Sequence, residues 1–122
     1  MSRYDVIIIG AGPGGIFAAY ELAKKAPELK VAVFEAGNSL EKRKCPIDGK
    51  KIKSCINCKT CAIMSGFGGA GAFSDGKYNI TNDFGGTLYE YIGKDTAIDL
   101  MKYVDEINLA YGGEGTKMYS TA

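Results

Sequence analysis

The chain has 122 residues, a net charge of +1, 46% hydrophobic residues, and neither histidine nor tryptophan. That length holds one domain at most, the near-neutral charge gives no global reason to expect nucleic acid or a membrane as partner, and the missing imidazole removes many hydrolase schemes. No apolar run approaches about 18 residues, and Val6–Ile9 is too short for a signal peptide's apolar region, so the start reads as a soluble, cytoplasmic N-terminus.

Residues 4–35 read as β-α-β, with a strand near 4–9, a helix near 13–26 and a strand near 30–35. Between the first strand and the helix, Gly10, Gly12 and Gly15 fit G-x-G-x-x-G, and each glycine has its own task. Gly10 permits the tight turn, Gly12 lets the backbone approach a pyrophosphate, and Gly15 lets the helix lie close to the strand. Pro13 suits the first turn of the helix, where no internal N–H partner is needed, and Pro27 helps to end it. The helix carries Ala19 and Leu22 inward, and a right-handed crossover makes the two strands parallel neighbours. Glu35, at the end of the second strand, stands twenty residues after Gly15. A carboxylate there accepts ribose hydroxyls and repels a 2′-phosphate. The pattern in this context indicates a dinucleotide site; the plainer reading is a similar turn without a ligand.

Residues 36–62 lose periodicity and form a Cys-rich loop, with seven Lys or Arg against two acids between Glu41 and Lys59. Cys45, Cys55, Cys58 and Cys61 fall inside it. Four thiolates at this spacing can wrap one metal centre, and Lys50, Lys51, Lys53 and Lys59 would offset its charge. An iron–sulfur cluster, zinc, a Cys58–Cys61 redox pair and inert thiols all stay open, the expectation being that the four act together. A Gly-rich segment follows over 63–86, and Phe67 and Phe73 argue against a plain flexible linker. Lys77–Thr81 is the only further strand candidate. Residues 87–111 read as helices: a short one capped by a Thr87/Glu90 box, then a longer one capped by Asp95 or Thr96. The longer one carries Ile98, Met101, Val104 and Ile107 on one stripe. The tail from Gly112 reads as loop, and a complete dinucleotide-binding half needs a third parallel strand, so the chain reads as the N-terminal piece of a longer protein.

The β-α-β with Glu35 resembles the FAD-binding start of the two-dinucleotide-binding-domain flavoproteins. The stretch Gly66–Lys77, preceded by Cys-x-x-Cys-x-x-Cys, resembles bacterial FAD-dependent dehydrogenases of the NAD(P)/FAD-dependent oxidoreductase group. Lys77–Asn82 is also similar to the Gly-Arg-Cys-Asn-x-Thr-Asn stretch of related flavoproteins. The likeness covers residues 4–82 and implies an α/β fold, an incomplete Rossmann-like FAD-binding half-domain with a Cys-rich excursion and C-terminal helices.

The resemblance also implies roles. Gly10, Gly12, Pro13, Gly14 and Gly15 would hold the FAD pyrophosphate, Glu35 with Ala36 the adenosine ribose, and Lys42 or Arg43 would sit near the adenine or the phosphates. The run Gly69-Ala70-Gly71 would offer backbone N–H groups to an anion or the flavin. Ser74 and Asp75 would bond ribityl hydroxyls, and Lys77 would stabilise the reduced flavin. FAD carries the chemistry, so no base is required; Asp75, Tyr78 and Tyr89 are the available proton donors. The expected function is an FAD-dependent oxidoreductase, with NAD(P)H a candidate partner and the rest of the flavoprotein needed for turnover. NAD in place of FAD, and a non-catalytic nucleotide- or metal-binding fragment or split-enzyme subunit, are the alternatives.

Overall fold

A computed structural model describes residues 3–74, 76–83, 85–113 and 118–120. The chain divides into two compact units, residues 1–74 and 75–122.

In the first unit, β1 (Val6–Ile9) and β2 (Val31–Phe34) pair in parallel, Val6 opposite Val31 and Ile9 opposite Phe34, and α1 (Pro13–Lys25) is the crossover between them. All three lie where the residue pattern puts them, within two residues at any end. Branched residues fill both strands, and this suits a pleated ribbon packed on one side. Along β1 burial alternates. Val6 and Ile8 are half-buried, whereas Ile7 and Ile9 are 57% and 82% exposed. The entry to β2 is fixed by Asp5, whose carboxylate accepts the Lys30 N–H at 2.9 Å. No regular element longer than a single 3-10 turn (Leu40–Lys42; Ala70–Phe73) occurs between β2 and Ser74.

The second unit holds β3 (Tyr78–Ile80), α2 (Leu88–Ile92), α3 (Lys94–Asn108) and β4 (Met118–Ser120). β3 and β4 pair in parallel, Tyr78 opposite Met118. The tail, read from sequence as loop, therefore carries a strand. Ile80, Thr81, Ala97 and Asp105 are buried here, and the Ile98/Met101/Val104/Ile107 stripe is half-buried. Two expected caps differ. Thr87 does begin α2, but neither it nor Glu90 makes the side-chain bonds of a capping box; only the Glu90 N–H reaches the Thr87 carbonyl. α3 is entered from Gly93 at φ +84°, ahead of Asp95 and Thr96, because a left-handed glycine can both close α2 and open α3. Among the described residues no helix is long and apolar enough to cross a membrane.

Candidate functional site

The turn after β1 is built as its glycines suggest. Gly10 adopts φ +96° and its N–H donates to the Phe34 carbonyl at 2.7 Å, carrying the β1–β2 ladder one step beyond the strands. Gly15 packs so tightly against this turn that a Cβ there would collide with the Gly10 carbonyl oxygen and approach Ile8 Cγ2 at 3.2 Å. A Cβ on Gly12 would meet only Gly69 Cα, at 3.9 Å, and one on Gly14 would meet nothing within 4 Å. So Gly15 is demanded by the fold, while a Cβ at Gly12 would make an ordinary contact with Gly69 and Gly14 faces open space beside the first turn of α1. No side chain caps that turn, and the N–H groups of Gly12, Gly14 and Gly15 make no hydrogen bond among the described residues. Free donors at the positive end of a 13-residue helix form an anion-attracting terminus.

Glu35 leaves β2 and turns back onto this loop. Its Oε2 accepts the Ala11 N–H and its Oε1 the Gly37 N–H, each at 2.7 Å. The Ala11 bond, then that of Gly37, holds the carboxyl below its ordinary range; partial burial opposes this, and the nearby Arg43 charge adds to the lowering. The carboxylate is thus ionised and fixed, with lone pairs left over on both oxygens. Ala36, next to it, is exposed.

The Gly-rich segment lies against the same loop. The Gly68 N–H donates to the Ala11 carbonyl at 2.7 Å, and the Phe67 N–H to Asn38 at 3.0 Å. A Cβ on Gly69 would stand 3.1 Å from both Gly12 Cα and Pro13 Cδ, and one on Gly37 would strike the Gly66 backbone. Two glycine-bearing stretches therefore meet backbone to backbone. The Ala70 and Gly71 N–H groups, at the start of the following 3-10 turn, also make no hydrogen bond among the described residues.

Arg43, expected beside the adenine or phosphates, has its guanidinium turned onto the chain's own backbone. It is 3% exposed and its guanidinium is committed to backbone carbonyls. Nε donates to Ala62 at 2.8 Å and Nη2 to Ile63 at 2.6 Å, while Nη1 donates to Phe67 at 2.7 Å, Gly69 at 2.8 Å and, weakly, Gly66 at 3.4 Å. Its guanidinium carbon also lies 4.8 Å from the centre of the Phe73 ring. A rigid fork of five N–H donors serves many acceptors at once, as the compact ammonium of the flanking Lys42 and Lys44 cannot.

Ser74 is exposed and ends the first unit; Lys77, also exposed, belongs to the second, and Asp75 lies outside the described residues. Tyr78 is half-buried in the second unit, and burial, followed by the charge of Asp105, raises its phenol above the ordinary value. Tyr89, half-buried in the same unit, has the Lys94 ammonium 5.7 Å from its ring centre. The four cysteines are free and exposed, and among the described residues no three metal-ligating side chains are set to hold an ion.

Compared with known proteins, residues 1–41 match the model of the Thi4 family. A thiamine thiazole synthase from Yarrowia lipolytica is 64% identical over 33 residues, 27% of this chain and 10% of that protein. One from Candida albicans is 54% identical over 35 residues, 29% of this chain and 10% of that protein. An uncharacterized protein from Clostridium beijerinckii extends the match, at 39% identity over 71 residues, 58% of this chain and 13% of its own length. The chain thus spans little more than a tenth of the length of these relatives. No solved structure matches it significantly.

Proposed function

We propose that this chain supplies the FAD-binding part of an FAD-dependent, dehydrogenase-like oxidoreductase. The observation that carries this reading is the junction of Glu35 with the glycine turn: an ionised carboxylate anchored on the Ala11 N–H, beside a helix start where the Gly12, Gly14 and Gly15 N–H groups make no hydrogen bond among the described residues. The Thi4 match over residues 1–41 covers that junction and supports a flavin nucleotide as its ligand. In the proposed complex, Gly12, Gly14 and Gly15 offer N–H groups to the pyrophosphate, and the remaining lone pairs of Glu35 accept the ribose hydroxyls. Ala70 and Gly71 offer two more donors from the adjoining segment, while Arg43 holds that segment in place from beneath. Bound FAD would supply hydride acceptance.

The test is a titration of the purified chain with FAD, followed by flavin fluorescence and the visible bands, with NADH as competitor. FAD should bind one per chain and resist NADH. Gly12→Val should abolish binding, with far-ultraviolet circular dichroism recorded beside it because a Cβ at Gly12 already reaches Gly69 Cα at 3.9 Å. Equal FAD affinity in the variant would overturn the assignment.

A second reading, that the chain is one subunit of a split enzyme, is favoured by the bare face of the β1–β2 pair. Ile7 and Ile9 project from it at 57% and 82% exposure, together with Phe34 at 54%. Apolar side chains set side by side on a strand pair are costly to leave in water. On this reading FAD binding would strengthen sharply on adding a second polypeptide.

A further inference from the structure

We propose that Cys45, Cys55, Cys58 and Cys61 are the ligands of one thiophilic metal centre, and that Arg43 ties its occupancy to the order of the glycine turns. This stands apart from the FAD reading and needs no nucleotide.

All four cysteines line one pocket of about 220 Å³, although the first and last stand sixteen positions apart. Its other walls are mainly apolar, Ile47 and Ile56 among them, and no carboxylate or lysine lines it. A pocket whose only strong ligands are thiols selects a soft metal over calcium or magnesium, which demand oxygen. The turn at Cys55 is closed on its own sulfur. Asn57 is the one non-glycine residue with positive φ (+53°) among those described, and this conformation aims its N–H at Cys55 Sγ, 3.4 Å away. The Cys55 thiol in turn donates to Asn57 Oδ1, 3.7 Å away.

Charge favours the same centre. Asp48, the acid of this loop, is used in folding it: one carboxylate oxygen accepts the N–H groups of Lys50, Lys51 and Ile52 at 2.8–2.9 Å. The exposed lysines around it are left to offset a negative site. Binding balances as one divalent ion displacing four thiol protons, which leaves a complex of charge −2.

Residues 44–61 bury almost nothing, with only Ile52 half-buried, and contain no helix or strand. Their ends are nevertheless clamped. Arg43, two residues before Cys45, donates to the carbonyls of Ala62 and Ile63, just after Cys61. The same guanidinium holds Phe67 and Gly69, and Gly68 donates to Ala11 in the dinucleotide turn. No three thiols are yet at ligand spacing, so an ion of about 2.3 Å metal–sulfur bonds must draw the loop inward. Its ends pull on Arg43.

The experiment is a titration of the reduced, anaerobic chain with Co²⁺. One ion per chain should bind, with intense sulfur-to-cobalt charge-transfer absorption, release of four protons at pH below the thiol range, and protection of all four cysteines from alkylation. Zn²⁺ should displace it. Reconstitution with iron and sulfide is the second arm. A cluster holding the same four cysteines would support the centre and identify it as iron–sulfur, not a single ion. Cys58→Ser should weaken Co²⁺ by about a hundredfold or more, since loss of an outer-shell partner alone costs 10–100-fold. Metal should also slow hydrogen exchange at Gly68 in the native chain and not in Arg43→Lys. Absence of charge-transfer bands in the native chain, fewer than four protected thiols, or a stable Cys58–Cys61 disulfide in place of metal would each overturn the centre. Equal Gly68 protection with and without metal would overturn the tie through Arg43.

Discussion

Adding one methyl group at each of three glycines separates what the fold requires from what a ligand requires. At Gly15 the new Cβ would overlap the Gly10 carbonyl oxygen and stand 3.1 Å from its carbon. The obstacle is backbone, and Gly10 is itself bonded to Phe34, so α1 must yield by roughly an ångström. Overpacking of this kind costs about 1–3 kcal/mol, and the upper end applies because no rotamer change can relieve it. Alanine's helix preference over glycine returns about 1 kcal/mol, so Gly15→Ala should destabilise by about 2 kcal/mol. Gly14→Ala, inside the first turn with open space around it, keeps the propensity gain without the collision and should stabilise by about 0.5–1 kcal/mol. Gly12 is the N-cap, with ordinary extended φ and ψ of −78° and −176°. There alanine's poorer capping and its lower unfolded-state entropy nearly cancel, for a change of roughly zero. Urea denaturation followed by circular dichroism reads all three. If Gly15→Ala is as stable as Gly14→Ala, α1 does not lie on the β1 turn as described.

Three further outcomes are expected. Glu35 has a folded pKa lowered from about 4.5, so its contribution to stability is complete above that pH and is lost as the pH falls through the folded value beneath it. The wild-type urea midpoint should therefore drop more steeply below pH 4.5 than that of Glu35→Gln, which does not titrate; parallel profiles would remove the anchor to Ala11. Arg43→Lys keeps the charge but not the fork. With four carbonyl bonds of 2.6–2.8 Å at stake, and hydrogen bonds from charged donors worth about 1.5–3 kcal/mol each before sharing, a loss of about 3 kcal/mol is expected. Proteolysis between residues 44 and 62 should then speed up, and native-like resistance would show that the clamp is dispensable. Asn57→Ala should cost about 1 kcal/mol, and Asn57→Gly none, because only the alanine Cβ strains a φ of +53°; equal stability of the two would refute the left-handed turn at Cys55.

The parts of the site legible in the sequence are those whose chemistry is local. Gly10, Gly15 and Glu35 each answer to neighbours one strand or one turn away, and strand–turn–helix spacing places such neighbours. Local rules missed elsewhere for equally physical reasons. An Asp95 looks like a cap, but Gly93 at φ +84° joins α2 to α3 directly and leaves no room for a side-chain cap between them. β4 is three residues long, too short for any alternation to show. Arg43 is the plainest case. Sequence displays its charge, and charge beside a nucleotide motif suggests phosphate. Its partners are carbonyls 19 to 26 residues away, and carbonyls leave no trace in a sequence. Burying a guanidinium is tolerable only when nearly every donor is used. The loop it holds must therefore return to it with carbonyls inward, and the glycines at 66, 68 and 69, all at positive φ, are what allow that path. The Gly-rich segment is accordingly shaped from below by Arg43 as much as by anything it contacts from above, and this is why it lies backbone to backbone on Gly12.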